Sequence, residues 1–247
     1  GASDEKLKSG FSLTRRAERK KLEHPARLSN RPCSSRESLL LTDDTDIEAH
    51  FSPRQQAVLE QALRLLVEGG EKSVTTAGIA RAASCSKESL YKWFGDRDGL
   101  LAAMVAYQAS KVRTFESAGH RLDGDELKRH LQTFGQDLLE VLSGDVSLAL
   151  NRLAIGRVTR DGQKLGRMLL ERGRAQIDQR ARALLEDGRR SGVLLFDNGD
   201  EAYRVLYGLI VGDSHVRQLL GEAADRGMFQ RRAERAVDRF WLLYAAK

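Results

Sequence analysis

The residues best placed to do chemistry stand close together. Lys87, Glu88, Ser89, Tyr91, Lys92 and Trp93 share one short run with Leu90 and Phe94. Leu90 and Phe94 lie four apart, so a helix that buries both leaves the charged, polar and aromatic set pointing largely outward. Ser86 is placed to cap that helix, and Gly95 breaks it. Just upstream, Thr75 is placed to cap a first short helix in which Ile79, Ala80 and Ala83 recur at helical spacing. Ser84, Cys85 and Ser86 interrupt the pattern between the two. Two short helices, a tight turn, and a second helix with an outward polar face describe a helix-turn-helix, a device for reading DNA.

Other elements must position this pair. Ser52, Pro53 and Gln55 make a helix start in which serine caps, proline takes the first turn and glutamine completes a capping box. Val58, Ala62, Leu65 and Leu66 form its apolar stripe, and Gly69-Gly70 ends it. Asp96 caps a next helix, opened by Arg97, that is expected to run towards Ser117 or Gly119 with Leu100, Leu101, Met104, Val105 and Val112 on its apolar side. Further amphipathic helices are expected around Leu127 to Leu142, Val146 to Val158 and Leu165 to Arg190. The last two are expected over residues 201–220 and 228–246, with a turn at Asn198-Gly199 before them. The run Val193-Leu194-Leu195-Phe196 is too short and solitary to build a sheet. The fold class is all-α.

At residues 52–101 the chain resembles the N-terminal domain of TetR-type bacterial transcriptional regulators. The resemblance is carried, without a gap, by the alanine-containing helix around Val58 to Glu68, Thr75, Ile79-Ala80, Ala83, Ser86-Lys87, Leu90-Tyr91, Phe94 and Leu100-Leu101. Two departures stand out. Ser84-Cys85 replaces the family's usual Gly-Val, so Ser84 must accept the backbone angle of a glycine. Glu71 stands where the family favours an aromatic.

The resemblance implies roles position by position. Thr75 and Thr76 match a phosphate-contacting pair, and Lys87, Glu88, Ser89 and Lys92 match positions that face base edges. Lysines there donate to guanine O6 and N7, and Glu88 accepts from cytosine N4. Tyr91 and Trp93 match backbone-contacting aromatics, Arg97 matches a basic phosphate clamp, and Ala77 stands where some relatives place a base-reading arginine. It implies a three-helix DNA-binding domain (52–101) and a helical domain (102–247) for effector binding and dimerisation, and residues 1–51, with no sustained period and charge in blocks, read as a polar N-terminal extension. An effector pocket is implied by resemblance alone. Its candidate lining is His130, Phe134, Asn151, Arg152, Arg157, Tyr203 and Tyr207, each of which also reads as an ordinary packing or surface residue. Apolar positions in the last two helices, with Gly208 and Gly212 four apart, suit a four-helix interface between two copies or packing within one subunit.

Composition bounds the alternatives. The chain of 247 residues carries a formal charge of +6 and a pI near 9.4, which suits a polyanionic partner without proving one. Residues 1–36 hold ten Lys or Arg against four acids, and residues 37–50 hold five acids and no Lys or Arg. The basic block reads either as an arm following DNA phosphates or as a solvated tail. If that segment is ordered, Leu39, Leu40, Leu41, Ile47 and Phe51 are its anchors. No apolar run approaches the ~20 residues of a membrane span, and no secretion signal is visible, so a cytoplasmic location is expected. Cys33 and Cys85 stand far apart with no paired ligand, which argues against a disulfide or zinc site. Cys85 reads as an apolar filler or a thiol sensor. The arginines between Arg167 and Arg182 alternate with acids and read as a salt-bridged solvent face.

No phosphate loop, nucleophile elbow or metal cluster is present, so neither an enzyme nor a cofactor is expected. The expected function is a ligand-responsive regulator, most often a repressor. It binds a palindromic duplex operator as a homodimer and responds to an unidentified small molecule. The alternative is a non-specific DNA-binding or protein-interaction module with no effector.

Overall fold

The computed structural model describes residues 51–115, 121–158 and 163–246, all within one compact unit spanning residues 44–247. The charged extension and the anchors expected at Leu39 to Leu41 and Ile47 lie outside the described residues. Within them the regular elements are helices, and Leu194 and Ala245 form an isolated antiparallel bridge. The architecture is all-α, as expected.

Helix α1 (Pro53–Gly69) opens on the expected capping box, with Ser52 and Gln55 serving each other's backbone N–H. Helices α2 (Thr76–Ala82), α3 (Lys87–Phe94) and α4 (Arg97–Ala109) are capped by Thr75, Ser86 and Asp96, each side chain accepting from a backbone N–H three residues on. The apolar stripe of α1 is wider than expected. Leu59 and Leu63 are buried beside Val58, Ala62 and Leu66, whereas Leu65 is only half-buried. These side chains, with Ile79, Leu90, Phe94 and Met104, form one apolar cluster.

The remaining helices are α5 (Gly124–Leu142), α6 (Asp145–Arg157), α7 (Lys164–Met168), α8 (Ala175–Arg190), α9 (Gly199–Val211), α10 (Ser214–Leu219) and α11 (Phe229–Tyr244). A second cluster joins Leu127, Leu131, Phe134, Leu138, Leu184, Leu206, Ile210, Val237 and Phe240. Here α11 packs against α5 and α9, and Gly135 admits them closely: a Cβ there would stand 3.0 Å from the Ala233 methyl. Helix α4 serves both clusters, Leu101 and Val105 in the first and Ala109 in the second. The reading pair is thereby tied to the C-terminal helices through rigid packed helix.

The structure corrects the expected boundaries. Helix α4 ends at Ala109, well short of Ser117, because its terminal carbonyls find a partner outside the helix. Arg180 of α8 donates to the Ala109 and Val112 carbonyls at 3.1 and 2.7 Å. The helix expected over 201–220 is broken at Gly212, whose φ of 52° is left-handed, and Arg232 of α11 donates to the Ile210 and Val211 carbonyls there. Gly212 is therefore a helix terminator, while Gly208 has open space around it. Asn198 is the side-chain cap of α9 instead of a turn residue. The helix expected over 165–190 is continuous but widens into a π-helical stretch, Leu169–Arg174, between α7 and α8. Residues 193–196 do pair, through Leu195 N–H to the Tyr244 carbonyl at 2.8 Å. No described helix is long and apolar enough to cross a membrane.

Candidate nucleic-acid interface and interior cavity

The turn between α2 and α3 is built on Ser84. It has φ 49°, the one non-glycine among the described residues in the left-handed region. Arg54 of α1 braces the turn by donating to the Ala83 and Ser84 carbonyls at 3.0 and 2.7 Å. Cys85 is free, half-buried and packed against the head cluster, which agrees with the apolar-filler reading. Gly95, with φ 73°, ends α3 so that Asp96 can start α4.

This scaffold buries Leu90 and Phe94 and leaves Lys87, Glu88, Tyr91 and Lys92 exposed on the opposite face, Tyr91 to 56%. Its own backbone N–H and the Ser86 hydroxyl hold the Glu88 carboxyl below the usual carboxylate range, so it is anionic at neutral pH. Two of the expected outward residues turn partly inward. The Ser89 hydroxyl lies 3.0 Å from the Ser86 hydroxyl inside the cap. Trp93 is half-buried, edge-on to Phe94, in a groove with Phe51, Met168 and Arg172.

Thr75, Thr76, Tyr91 and Arg97 line one open groove beside α3, together with Lys72 and Glu71. Thr75 Oγ1 accepts from Gly78 N–H at 3.0 Å, leaving its hydroxyl proton available. Arg97 Nη2 donates to Glu71 Oε1 at 3.4 Å, and Arg157 of α6 pairs with the same oxygen. Glu71 was visible in the sequence only as a departure from the family, and Lys72 escaped sequence reasoning, because one lysine in a three-residue 3₁₀ turn carries no spacing signal.

The seven expected pocket residues do not form one site. Asn151 and Tyr207 line a half-open cavity of about 180 Å³ among α4, α5, α6, α8, α9, α10 and the π-helical stretch. Phe134 is core. His130 stacks on Phe115, ring centres 4.8 Å apart. Arg152 caps α10 through the Gln218 and Leu219 carbonyls at 2.7 and 3.0 Å, and Arg157 is the partner of Glu71. Tyr203 lies behind the cavity wall and donates its hydroxyl to Asp178. Burial, then that carboxylate, pushes its phenol well above the ordinary value.

Gln108, Ser147, Arg174, Asp178 and His215 were missed as cavity residues. Arg174 keeps the exposed, salt-bridged character expected of that arginine run, pairing with Asp178 at 3.5 Å, and its guanidinium also lies over the Tyr207 ring at 4.3 Å. A buried polar residue on an otherwise apolar helix was the available signal for Gln108. Among the described residues, no group of three or more His, Cys, Asp and Glu could hold a metal ion.

The sequence matches two family descriptions. Residues 58–104 match "Bacterial regulatory proteins, tetR family", and residues 129–246 match "AefR-like transcriptional repressor, C-terminal domain". The crystal structure of a TetR transcriptional regulator from Agrobacterium tumefaciens is 65% identical, covers 80% of this chain and 97% of its own, and superposes with a TM-score of 0.71. The nucleoid occlusion factor SlmA of Glaesserella parasuis is 31% identical over 147 residues, 53% of this chain and 73% of its own length. A putative TetR-family regulator from Mesorhizobium loti shares the fold at 21% identity and a TM-score of 0.61, covering 78% of this chain and 96% of its own.

Proposed function

This chain belongs to the TetR family of bacterial regulatory proteins and is a DNA-binding transcriptional regulator; we propose that it is a repressor that leaves its operator when a small molecule fills the half-open cavity. The observation that carries the reading is the pairing of an exposed basic and aromatic α3 face with a cavity walled by the same helix, α4, that carries the head. Lys87, Glu88 and Lys92 face base edges, with Ser89 held beside them in the helix cap, Tyr91, Thr75, Thr76 and Arg97 on the phosphates and Trp93 at the margin of the contact. The matched description of the C-terminal half, a repressor domain, supports the sign of regulation.

A homodimer reads two half-sites of a palindrome. Its interface suits the apolar side chains left in solvent just after α10 and on α11, Leu220 at 84% and Leu242 at 87% exposed, with Gly208 of α9 open to a close neighbour. The π-helical stretch both lines the cavity and packs on α4. At Gly173 it comes so close that a Cβ would stand 3.1 Å from Val105 Cγ1. A ligand that moves this stretch therefore moves α4 and changes the spacing of the two heads.

The test is selection of duplexes from random sequence, followed by a shift assay against a scrambled control at ~150 mM salt. A preference of about a thousandfold or more supports specific reading. Equal affinity for both duplexes sinks it.

A further inference from the structure

We infer that the half-open cavity takes a neutral, single-ring compound bearing a hydroxyl group, whose O–H serves acceptors that the protein leaves without a donor. This rests on the effector reading above and deepens it. Size comes first. An apolar cavity of roughly 150 Å³ admits benzene, so about 180 Å³ holds one ring and a small substituent. The wall is mostly aliphatic, with Val105, Leu138, Val141, Leu150 and Ile177 among its side chains. Leu170, 60% exposed, stands at its edge.

The wall carries hydroxyl and guanidinium donors in Ser147, Tyr207 and Arg174, and two acceptors without a partner. Gln108, only 8% exposed, spends its amide N–H on Ser147 Oγ at 3.4 Å, and its Oε1 is buried with no partner. His215 Nδ1 is likewise buried and without a partner. Burial holds that imidazole below its ordinary value, outweighing the Leu142 carbonyl that accepts from the ring, so Nδ1 keeps its lone pair at neutral pH. Asn151 donates one amide N–H to the Ser147 carbonyl at 2.8 Å, which leaves its second N–H and its carbonyl oxygen. Native interiors leave few such groups unpaired, and two on one cavity wall mark a missing donor. An anion is poorly served, because the cation of the lining, Arg174, already holds Asp178 and stacks on Tyr207. A hydroxyl also tolerates rotation of the Gln108 amide, since it accepts as well as donates.

The experiment is calorimetry on the full chain with 4-methylphenol, 4-methylanisole, 4-methylbenzoate and toluene, with Gln108→Leu and His215→Phe alongside. The phenol is expected to bind at least about tenfold tighter than the anisole, which keeps the ring and loses the donor. Either variant should bring the phenol down towards the anisole. If a variant does not fold, a crystal of wild type grown with 4-bromophenol decides by the bromine signal in the cavity. Equal binding of phenol and anisole, preference for the benzoate, or a cavity holding only water overturns the assignment. Phenol that binds but leaves DNA affinity unchanged refutes the effector reading and not this one. Release from DNA by a compound indifferent to both variants does the reverse.

Discussion

Arg157, the last residue of α6, forms an ion pair with Glu71, in the 3₁₀ turn just before the reading helices, and so joins the C-terminal helices to the head. Glu71 stands where the resembling family favours an aromatic. An electrostatic contact thus occupies a place that packing serves elsewhere. The same carboxylate takes Arg97 at 3.4 Å, in the groove proposed for phosphate.

Glu71→Gln releases Arg97 to the duplex. Both groups are substantially exposed, so the pair is weak, and DNA affinity at low salt should rise about twofold to fivefold. The salt slope should steepen by about one as another phosphate contact forms. The Arg157 side chain, 13% exposed, loses an anionic partner. Tm should therefore fall by about 2–4 °C, the shift that about 1 kcal/mol produces at this size. Fluorescence anisotropy across a salt series and a thermal melt check both.

Ser84→Gly should stabilise the chain by about 1 kcal/mol, because φ 49° costs a Cβ-bearing residue about that much and glycine almost nothing. Ser84→Val should destabilise it, since a β-branched side chain tolerates that angle least. Urea melts of the three proteins give the order.

Such local features were legible in the sequence because their causes are local. Ser52, Thr75, Ser86 and Asp96 each reach an N–H three residues ahead, and Ser84 sits in its turn for want of a glycine. The ends of the helices were not legible. Arg54, Arg180, Arg152 and Arg232 each donate to carbonyls at or just past the end of a helix distant in sequence. A stripe such as that of Val112 therefore gives no notice of where α4 stops. The cavity was half-read for the same reason. Aromatic and polar residues on apolar helices were visible, but which of them face one space is decided by packing between elements.

His215 makes stability depend on acid. Its folded pKa lies below the ordinary 6.5, chiefly through burial, with Arg174 adding to the effect. The unfolded chain therefore takes up the proton first, and stability is lost as pH falls through about 6.5, levelling off below the folded value. His215→Phe should flatten that decline between pH 7 and 5, as thermal melts across this range would show. An unchanged decline would mean that the ring is not held neutral.

Lys92→Ala and Lys87→Ala should each cost about 1–3 kcal/mol on a selected duplex and little on a scrambled one. Arg97→Ala should weaken both duplexes alike and reduce the salt slope by about one. Parallel anisotropy titrations separate the two behaviours.

The account depends above all on α3 lying in the major groove of a duplex once per subunit. A chemical-protection footprint of the full chain on a selected duplex, with wild type and Lys92→Ala side by side, measures this directly. The expected result is two protected windows about 34 Å apart, with a base preference lost symmetrically from both in the variant. A single window, or protection spread evenly along the duplex and unaltered by the substitution, would contradict it.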